Sequence, residues 1–351
     1  MGIMNEIDKP IIAITMGDPC GIGPEVIVKG LLDKKIYDTC RPFVIGNADW
    51  MMQAASHFAP SLDVCSIKDL KDGRFEAGML DILDLAQELG PFPFQYGNPH
   101  PAAASMALSA IILAARMALR SEIDGIATGP IHKEQMQRIG FSFPGHTEFF
   151  ADMAKTDAFG MMMVGGGLRI LLTTIHLSLK EMIGQIKKER IYDAIRLTAA
   201  SLERDFGCQE PRLAVAALNP HAGERGIFGD EEKREVLPAI EMAQADGIGV
   251  SGPYPADTLF YQLKQGRFDA AVALYHDQAL IPIKLLAFGS AVNVTVGLPF
   301  VRSSVDHGTA YDIAGQGVAD AGSLQEAVRL AVQMARHRAG FLRRSAQGRI
   351  D

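Results

Sequence analysis

The stretch Ile11-Ile12-Ala13-Ile14-Thr15 predicts a buried β-strand, because five consecutive apolar or β-branched residues are followed by glycine-rich sequence. The glycine-rich segment occupies residues 17–25, and a helical pattern continues from it to Leu31. A simple strand-to-helix turn explains these glycines as well as an anion-binding helix start does. The chain is therefore expected to contain an early strand–turn–helix unit, and both interpretations of its turn stay open.

The same alternation recurs further along the chain. Strands are predicted at residues 42–46, 125–129, 168–173, 212–217 and 270–274, and helices at residues 102–119, 179–205, 231–246 and 322–339. Strands separated by helices of this length predict an α/β architecture with a largely parallel sheet. In such sheets ligands gather at the carboxyl ends of the strands. The residues that directly follow the strands are therefore the candidate site residues.

Size and composition limit the possible classes of protein. The 351 residues correspond to two or three domains at roughly 150 residues each. The hydrophobic fraction of 48% and the charged fraction of 21% exclude disordered and collagen-like chains. A net charge of −7 argues against a nucleic-acid-binding surface. No apolar stretch is expected to span a bilayer, and residues 1–9 do not resemble a signal peptide. Four scattered cysteines predict free thiols. These three features together predict a soluble cytoplasmic protein.

Three histidines follow predicted strands at equivalent places. His176 follows the strand at 168–173, His221 the strand at 212–217, and His276 the strand at 270–274. Imidazoles that converge from separate strand ends form a divalent-metal site with an open position for substrate. One histidine at a strand end is more often structural, and the sequence alone does not show that the three converge.

Polar residues near two predicted elements are candidates for binding an anion. His146 and Thr147 open a predicted helix, where Thr147 suits an N-cap and the pair also suits a phosphate or carboxylate. Lys284, Asn293 and Arg302 interrupt an apolar run at 281–301. Buried cations are costly unless paired, so each is expected to face a cleft, an anion or an internal carboxylate such as Asp277 or Asp306. The glycine-rich loop at 307–320 precedes a helix and could hold a nucleotide.

Six sequence blocks together resemble the 4-hydroxythreonine-4-phosphate dehydrogenase family of pyridoxal phosphate synthesis. They occupy residues 129–133, 145–150, 219–224, 255–260, 275–278 and 297–309, and the resemblance extends from Thr15 to Asp320. It implies a two-domain fold similar to isocitrate and isopropylmalate dehydrogenases, with mostly parallel sheets, helices on both faces and the active site in the interdomain cleft. Residues 1–135 with 295–351 are expected to form an α/β domain that carries both termini. Residues 136–294 are expected to form a central domain with the metal ligands and dimer contacts.

The resemblance also assigns roles to residues of this chain. It implies a homodimer with one divalent metal, zinc by preference over magnesium, cobalt or manganese, at a site shared across the interface. It further implies NAD, or NADP, as cofactor and a small phosphorylated hydroxy acid as substrate, with no nucleic-acid or membrane partner. The implied metal ligands are His176, His221 and His276; the implied substrate residues are His146, Thr147, Lys284, Asn293 and Arg302. The implied cofactor residues are His307, Gly308, Thr309, Asp312, Gly315 and Gly317.

The implied reaction is oxidation of 4-hydroxy-L-threonine 4-phosphate at its C3 alcohol, followed by decarboxylation to 3-amino-2-oxopropyl phosphate. Lys284 is expected to donate the proton, and Asp257 to be a further polar residue near the metal. Similar segments occur in a sister group that oxidises D-threonate or D-erythronate 4-phosphate, and residues 164–170 resemble a cis-dihydrodiol dehydrogenase. A zinc hydrolase is an alternative of another class, against which the loop at 307–320 argues, and a non-catalytic binding module is less favoured still.

Overall fold

A computed structural model describes residues 9–85 and 95–347 of the protein, which divide into two compact units. The first unit runs to Lys155 and resumes over Pro299–Ala335; the second comprises Thr156–Leu298 and the described residues from Arg336. The boundaries expected after residues 135 and 294 lie before the observed ones, which follow Lys155 and Leu298. Residues 336–347 were expected in the domain that carries both termini but belong to the second unit. Residues 136–155 belong to the first unit, where the rings of Phe141, Phe143 and Phe149 lie with their centroids within 5.6 Å of one another.

The first unit is built on six parallel strands in the order β3-β4-β2-β1-β5-β12. These strands are β1 (Ile11–Thr15), β2 (Arg41–Gly46), β3 (Asp63–Ile67), β4 (Met79–Asp84), β5 (Gly125–Thr128) and β12 (Val301–Val305). Its helices are α1 (Gly23–Gly30), α2 (Lys34–Thr39), α3 (Ala48–Phe58), α4 (Pro101–Leu119), α5 (Lys133–Arg138), α6 (His146–Ala154) and the first part of α12 (Gly322–Gln347). Four of the strands are buried along most of their length, as parallel strands covered on both faces require.

Helix α4 is the one helix of the described residues that is long and apolar enough, by length and composition, to cross a membrane. The sequence expectation that no such stretch exists is therefore wrong. More than half of the qualifying window is buried inside the protein, where α4 packs against β1, β2 and β5. Its apolar composition thus serves the core of the first unit.

The second unit contains strands β6 (Gly160–Gly165), β7 (Leu168–Leu172), β8 (Leu213–Ala216), β9 (Val250–Tyr254), β10 (Ala270–Ala273) and β11 (Val292–Val296). They lie in the order β11-β6-β7-β10-β8-β9, parallel from β7 onward, whereas β6 pairs antiparallel with both its neighbours. Its helices are α7 (Leu179–Gln185), α8 (Lys188–Asp205), α9 (Leu237–Ala245), α10 (Ala256–Lys264) and α11 (His276–Ala287). Leu168, Ile170 and Leu172 face α10 and α11, and Leu171 lies near Leu197 of α8, so helices cover both faces.

The predicted α/β class with mostly parallel strands is confirmed, and two helix predictions need correction. The helix expected at 179–205 is two helices, because the backbone is extended at Ile186 and Lys187. The helix expected at 231–246 begins with a π-helical turn at Glu232–Val236 before α9. All four cysteines are free, with Cys20 and Cys40 buried and the other two half-buried.

Candidate active site

A buried arginine lies at the centre of a candidate anion site in the first unit. Arg302 of β12 is only 1% exposed, and its Nη2 donates to Thr128 Oγ1 at 2.7 Å. Its guanidinium carbon lies 5.8 Å from the centre of the Phe150 ring. Burial lowers the pKa of Arg302 to about 9, although the carboxylate of Glu148 offsets part of this lowering. The guanidinium therefore remains cationic at neutral pH in surroundings that favour the approach of an anion.

His146 lies beside this arginine at the first residue of α6. Its ring is stacked on Phe150 with centroids 6.1 Å apart. Within residues 9–85 and 95–347, the buried Nε2 of His146 has no hydrogen-bond partner. Burial lowers the pKa of His146 well below 6.5, and the charges of Arg302 and Lys133 lower it further. A neutral imidazole with one nitrogen in need of a partner is suited to donate a hydrogen bond to a bound anion.

The helix start supplies further donors, although not as the sequence suggested. The N-cap of α6 is Gly145, so the predicted N-cap role of Thr147 is wrong. Thr147 is the second helical residue and is only 6% exposed. The first amides of a helix have no partner within the helix and favour negative charge. His146, Thr147 and Arg302 are thus three predicted substrate residues of the first unit, and their chemistry fits a phosphate group.

His146 should make the stability of the protein sensitive to mild acid. Its pKa is lower in the folded chain than in the unfolded chain, where it is about 6.5. The unfolded chain therefore binds more protons below about pH 6.5, and stability is lost as the pH falls from there toward the folded pKa. Urea unfolding at several pH values should show a shallower acid loss in His146→Gln than in the unsubstituted protein. Identical pH slopes would contradict this prediction.

A histidine pair lies in the second unit. His176 follows β7 and His276 begins α11, and their rings are 5.6 Å apart. His276 Nδ1 and Asp277 Oδ1 are hydrogen-bonded at 2.7 Å, which leaves the Nε2 of His276 to face a ligand. Both rings line a cavity of about 190 Å³ together with Leu177 and Tyr275. The two imidazoles are nitrogen donors of the type that zinc prefers.

The third predicted metal ligand, His221, lies on a loop of unusual backbone conformation. Five consecutive residues have positive φ angles between 40° and 74°: His221, Ala222, Gly223, Glu224 and Arg225. Left-handed backbone costs roughly 1–2 kcal/mol for each residue other than glycine, and such strain is concentrated at functional sites. Among the described residues, no group of three or more His, Cys, Asp or Glu side chains is placed to hold a metal ion. The structure therefore brings His176 and His276 together but not His221.

Glu232 holds this loop in place, and sequence reasoning missed it. Its Oε1 accepts from the backbone amides of Leu218 and Asn219 at 2.9 and 2.7 Å. Its Oε2 accepts from the Asn219 side chain at 3.0 Å. Glu232 is only 4% exposed and follows the loop closely in sequence. The sequence signal for this role was an acidic residue a few positions after a glycine-containing loop. Acidic residues at the start of an ordinary helix give the same pattern, so the signal does not identify Glu232.

Removing the Glu232 carboxylate should release the loop. Glu232→Ala leaves two partly buried amides, those of Leu218 and Asn219, without their acceptor, at a cost of up to about 1–3 kcal/mol for each unsatisfied group. Amide hydrogen exchange over residues 218–226 should accelerate at least tenfold, and the melting temperature should fall by several degrees. Glu224→Ala on the same loop is the matched control, since that exposed side chain does not hold the segment. Unchanged exchange in Glu232→Ala would contradict the assigned role.

The remaining substrate and catalytic candidates lie in the second unit. Lys284 is on the exposed side of α11. Residues 281–301 comprise the end of α11, a turn, β11, a second turn and the first residue of β12, rather than one buried run. Asn293 of β11 donates from Nδ2 to Met161 Sδ at 3.1 Å, and its buried Oδ1 has no partner among the described residues. Asp257 is exposed in the first turn of α10. No described group of acidic and histidine side chains joins Asp257 to the histidine pair.

The glycine-rich loop in the first unit carries all the predicted cofactor residues. Gly315 and Gly317 have φ angles of 81° and 73° and are exposed, whereas Thr309 is buried. A side chain at Gly308 would meet no atom within 4 Å, so the backbone there is open to a ligand. The buried Nε2 of His307 has no partner within the described ranges. Open backbone and an imidazole with an unused nitrogen fit a dinucleotide, and the histidine pair fits two positions of a divalent metal.

Comparison with known proteins places this chain among related sequences and structures. Residues 38–331 match the family model of the pyridoxal phosphate biosynthetic protein PdxA. The chain is 44% identical to a 4-hydroxythreonine-4-phosphate dehydrogenase of Desulforapulum autotrophicum, over 93% of this chain and 96% of the relative. It is 42% identical to a D-threonate 4-phosphate dehydrogenase of Cupriavidus necator, over 94% and 98%. A crystal structure of a 4-hydroxythreonine-4-phosphate dehydrogenase from Burkholderia phymatum superposes with a TM-score of 0.82 at 41% identity, covering 93% and 98%.

Proposed function

Because this chain belongs to the PdxA family of pyridoxal phosphate biosynthetic proteins and is an oxidoreductase by its dehydrogenase relatives, we propose that it oxidises 4-hydroxy-L-threonine 4-phosphate. The proposed reaction uses NAD and a divalent metal, oxidises the C3 alcohol and ends with decarboxylation to 3-amino-2-oxopropyl phosphate. The observation that carries the proposal is the buried Arg302 beside the unpartnered Nε2 of His146. That pair is suited to bind a phosphate group, which the proposed substrate carries.

The proposed roles of the chain's own residues follow from their chemistry. Arg302, His146 and Thr147 bind and orient the phosphate with charged and neutral donors. His176 and His276 bind the metal, and Asp277 fixes the tautomer of His276. When bound, the metal supplies Lewis acidity toward the substrate's alcohol and keto oxygens, and NAD supplies the hydride acceptor.

Three more residues of the chain have proposed roles in this reaction. The Lys284 ammonium donates a proton to the carbon that loses carboxylate, and the Asn293 amide binds a polar substrate group. Asp257 acts as a further polar residue near the metal. The loop at 307–317 binds the dinucleotide through His307 and its glycines.

The test is an assay of NADH formation by purified, metal-loaded protein. 4-Hydroxy-L-threonine 4-phosphate is compared with D-threonate 4-phosphate and D-erythronate 4-phosphate under identical conditions. A preference for the amino substrate in kcat/KM supports the proposal. If metal-loaded protein formed NADH with none of the three substrates, the proposal would be overturned. Conversion of a substrate without NADH formation would favour a metal-dependent hydrolase.

The second candidate is oxidation of D-threonate or D-erythronate 4-phosphate. It is favoured by the 42% identity to the Cupriavidus necator D-threonate 4-phosphate dehydrogenase, close to the 44% shared with the first relative. Both types of substrate carry a phosphate, a hydroxyl and a carboxylate on one short carbon chain. The anion site can therefore bind either type of substrate, and only the relative kcat/KM values distinguish the two candidate functions.

We also propose that the protein is a cytoplasmic homodimer whose metal site is shared between subunits. Large exposed apolar side chains of the second unit support this proposal, and we infer that they form one association surface: Leu177, Leu179, Ile183, Ile281, Leu285 and Phe288. Leu285 and Phe288 are 82% and 87% exposed, and Leu177 and Leu179 also line the cavity of the histidine pair. Large exposed apolar patches mark association surfaces, and covering this one would also enclose the two imidazoles.

A charge in this apolar surface should separate the subunits. Leu285→Glu combined with Phe288→Glu should raise the dimer dissociation constant at least about 100-fold, as expected for loss of central apolar contacts. Size-exclusion chromatography with light scattering measures the change, and metal content should fall with it. Tyr261→Glu, an exposed residue of α10 outside this surface, is the control. A double variant that remains dimeric would exclude this surface as the interface.

A further inference from the structure

The glycine-rich loop at 307–320 is tied to the strand–turn–helix unit at the start of the first unit by several hydrogen bonds. The backbone amide of Ile22 donates to the Thr309 carbonyl at 2.9 Å. The Tyr311 hydroxyl donates to Asp18 Oδ2 at 2.6 Å. The same two segments meet again near the end of the loop, where Glu25 and Lys29 of α1 contact it. The loop is therefore attached within its first five residues, at Thr309 and Tyr311, and again near its end, at Gly317 and Ala319.

Lys29 makes the largest number of these bonds. Its ammonium donates to Glu25 Oε1 at 2.7 Å, to the Gly317 carbonyl at 2.7 Å and to the Ala319 carbonyl at 3.0 Å. All three of its donors are thereby used, two of them on the loop. Glu25 completes the arrangement, because its Oε1 also accepts from the Ala319 amide at 2.8 Å. Glu25 is fully buried, and its Oε1 accepts both from the Lys29 ammonium and from the Ala319 amide.

The loop needs such support because of its composition. Gly308, Gly315 and Gly317 add backbone freedom, and four consecutive residues, 315–318, are exposed. A flexible loop loses conformational entropy when a ligand orders it, which weakens binding. Hydrogen bonds that fix the loop in advance remove part of that loss.

We infer that Asp18, Glu25 and Lys29 are positioning residues that hold the loop at 307–320 in its dinucleotide-binding conformation. The inference rests on the proposed function, which assigns this loop to NAD. These residues act through the loop and need not contact the cofactor themselves. Their loss should weaken NADH binding selectively and leave phosphate binding in the same unit largely intact.

The experiment compares three variants with the unsubstituted protein. Lys29→Met removes both bonds to the loop carbonyls, Glu25→Gln retains one acceptor for the Ala319 amide, and Tyr311→Phe removes only the hydroxyl that reaches Asp18. Lys34→Met, an exposed lysine of α2, is the matched control. Two quantities are measured: amide hydrogen exchange over residues 309–319 without ligand, and dissociation constants for NADH and for inorganic phosphate.

The expected result is graded. In Lys29→Met, loop exchange should accelerate and the NADH dissociation constant should rise about tenfold, which corresponds to about 1.4 kcal/mol. Glu25→Gln and Tyr311→Phe should show smaller changes in the same direction, with the phosphate dissociation constant within twofold. Unchanged loop exchange, or equal weakening of NADH and phosphate, would overturn the inference. An unsubstituted protein that binds phosphate but no NADH would instead overturn the proposed function, and the inference with it.

Discussion

Arg302→Lys is expected to lower kcat/KM for the phosphorylated substrate by about 100- to 1,000-fold. The guanidinium offers a planar fork of donors, whereas an ammonium is a compact point charge that does not reproduce this geometry. Two charge-assisted hydrogen bonds to phosphate contribute about 3–6 kcal/mol together. Because the lysine ammonium keeps part of this interaction, a loss of about 3–4 kcal/mol is expected, which corresponds to about 100- to 1,000-fold. Steady-state kinetics and phosphate binding by calorimetry measure it, and both should weaken together.

Arg329→Lys serves as the control for this substitution. Arg329 lies on α12 in the same unit and donates to Asp33 at 2.6 Å, but it is half-exposed and its ion-pair partners, Asp33 and Glu326, are not residues of the anion site. It should retain nearly full activity. If Arg302→Lys also retained normal phosphate affinity while remaining folded, the anion site would have to be assigned elsewhere.

Loss of either paired histidine should remove both metal binding and turnover. His176→Ala and His276→Ala each delete one of two nitrogen donors whose rings lie 5.6 Å apart. Removing a direct ligand should exceed the 10- to 100-fold losses in affinity or activity that are typical of outer partners, so a fall of at least about 1,000-fold in kcat is expected. Metal content by mass spectrometry should drop below one ion per site in both variants.

Three further variants sharpen this second prediction. Asp277→Asn keeps the shape of the His276 partner but removes its charge, and should lower metal affinity by about 10- to 100-fold. His57→Ala, on the exposed side of α3, should leave the metal content unchanged. His221→Ala should lower metal content too if the strained loop supplies the third ligand. Full metal content in His176→Ala would exclude that residue as a ligand.

Six of the described strands were predicted from the sequence, namely β1, β2, β5, β7, β8 and β10, and six were not. β1, β5, β7, β8 and β10 are short runs of small or branched apolar residues, so burial alone identified them. β3, β4, β9, β11 and β12 contain polar residues, glycine or proline and were missed. β6 is mostly apolar and was missed as well. The break between α7 and α8 was also missed, because the helical pattern continues through Ile186 and Lys187 while the backbone does not.

The candidate site divides in the same way. Arg302 and His146 were identified from their residue types, but their proximity depends on β12 lying next to β5, and sequence spacing does not encode that pairing. Lys284 has apolar neighbours in sequence yet is exposed, because a helix presents one side to solvent. Glu232, Glu25 and Lys29 escaped notice because their hydrogen bonds depend on tertiary contacts.

The position of β12 has a consequence for synthesis of the chain on the ribosome. β12 pairs with β5, yet Val301 is translated roughly 170 residues after Thr128, an interval of about 10–35 s at about 5–20 residues per second. Throughout that interval one edge of β5 lacks its native neighbour, and unpaired strand edges are prone to aggregate. The second unit is nearly continuous in the chain and emerges meanwhile. The unit translated first is therefore the last to complete its sheet, and the nascent chain should depend on protection of that edge until β12 arrives.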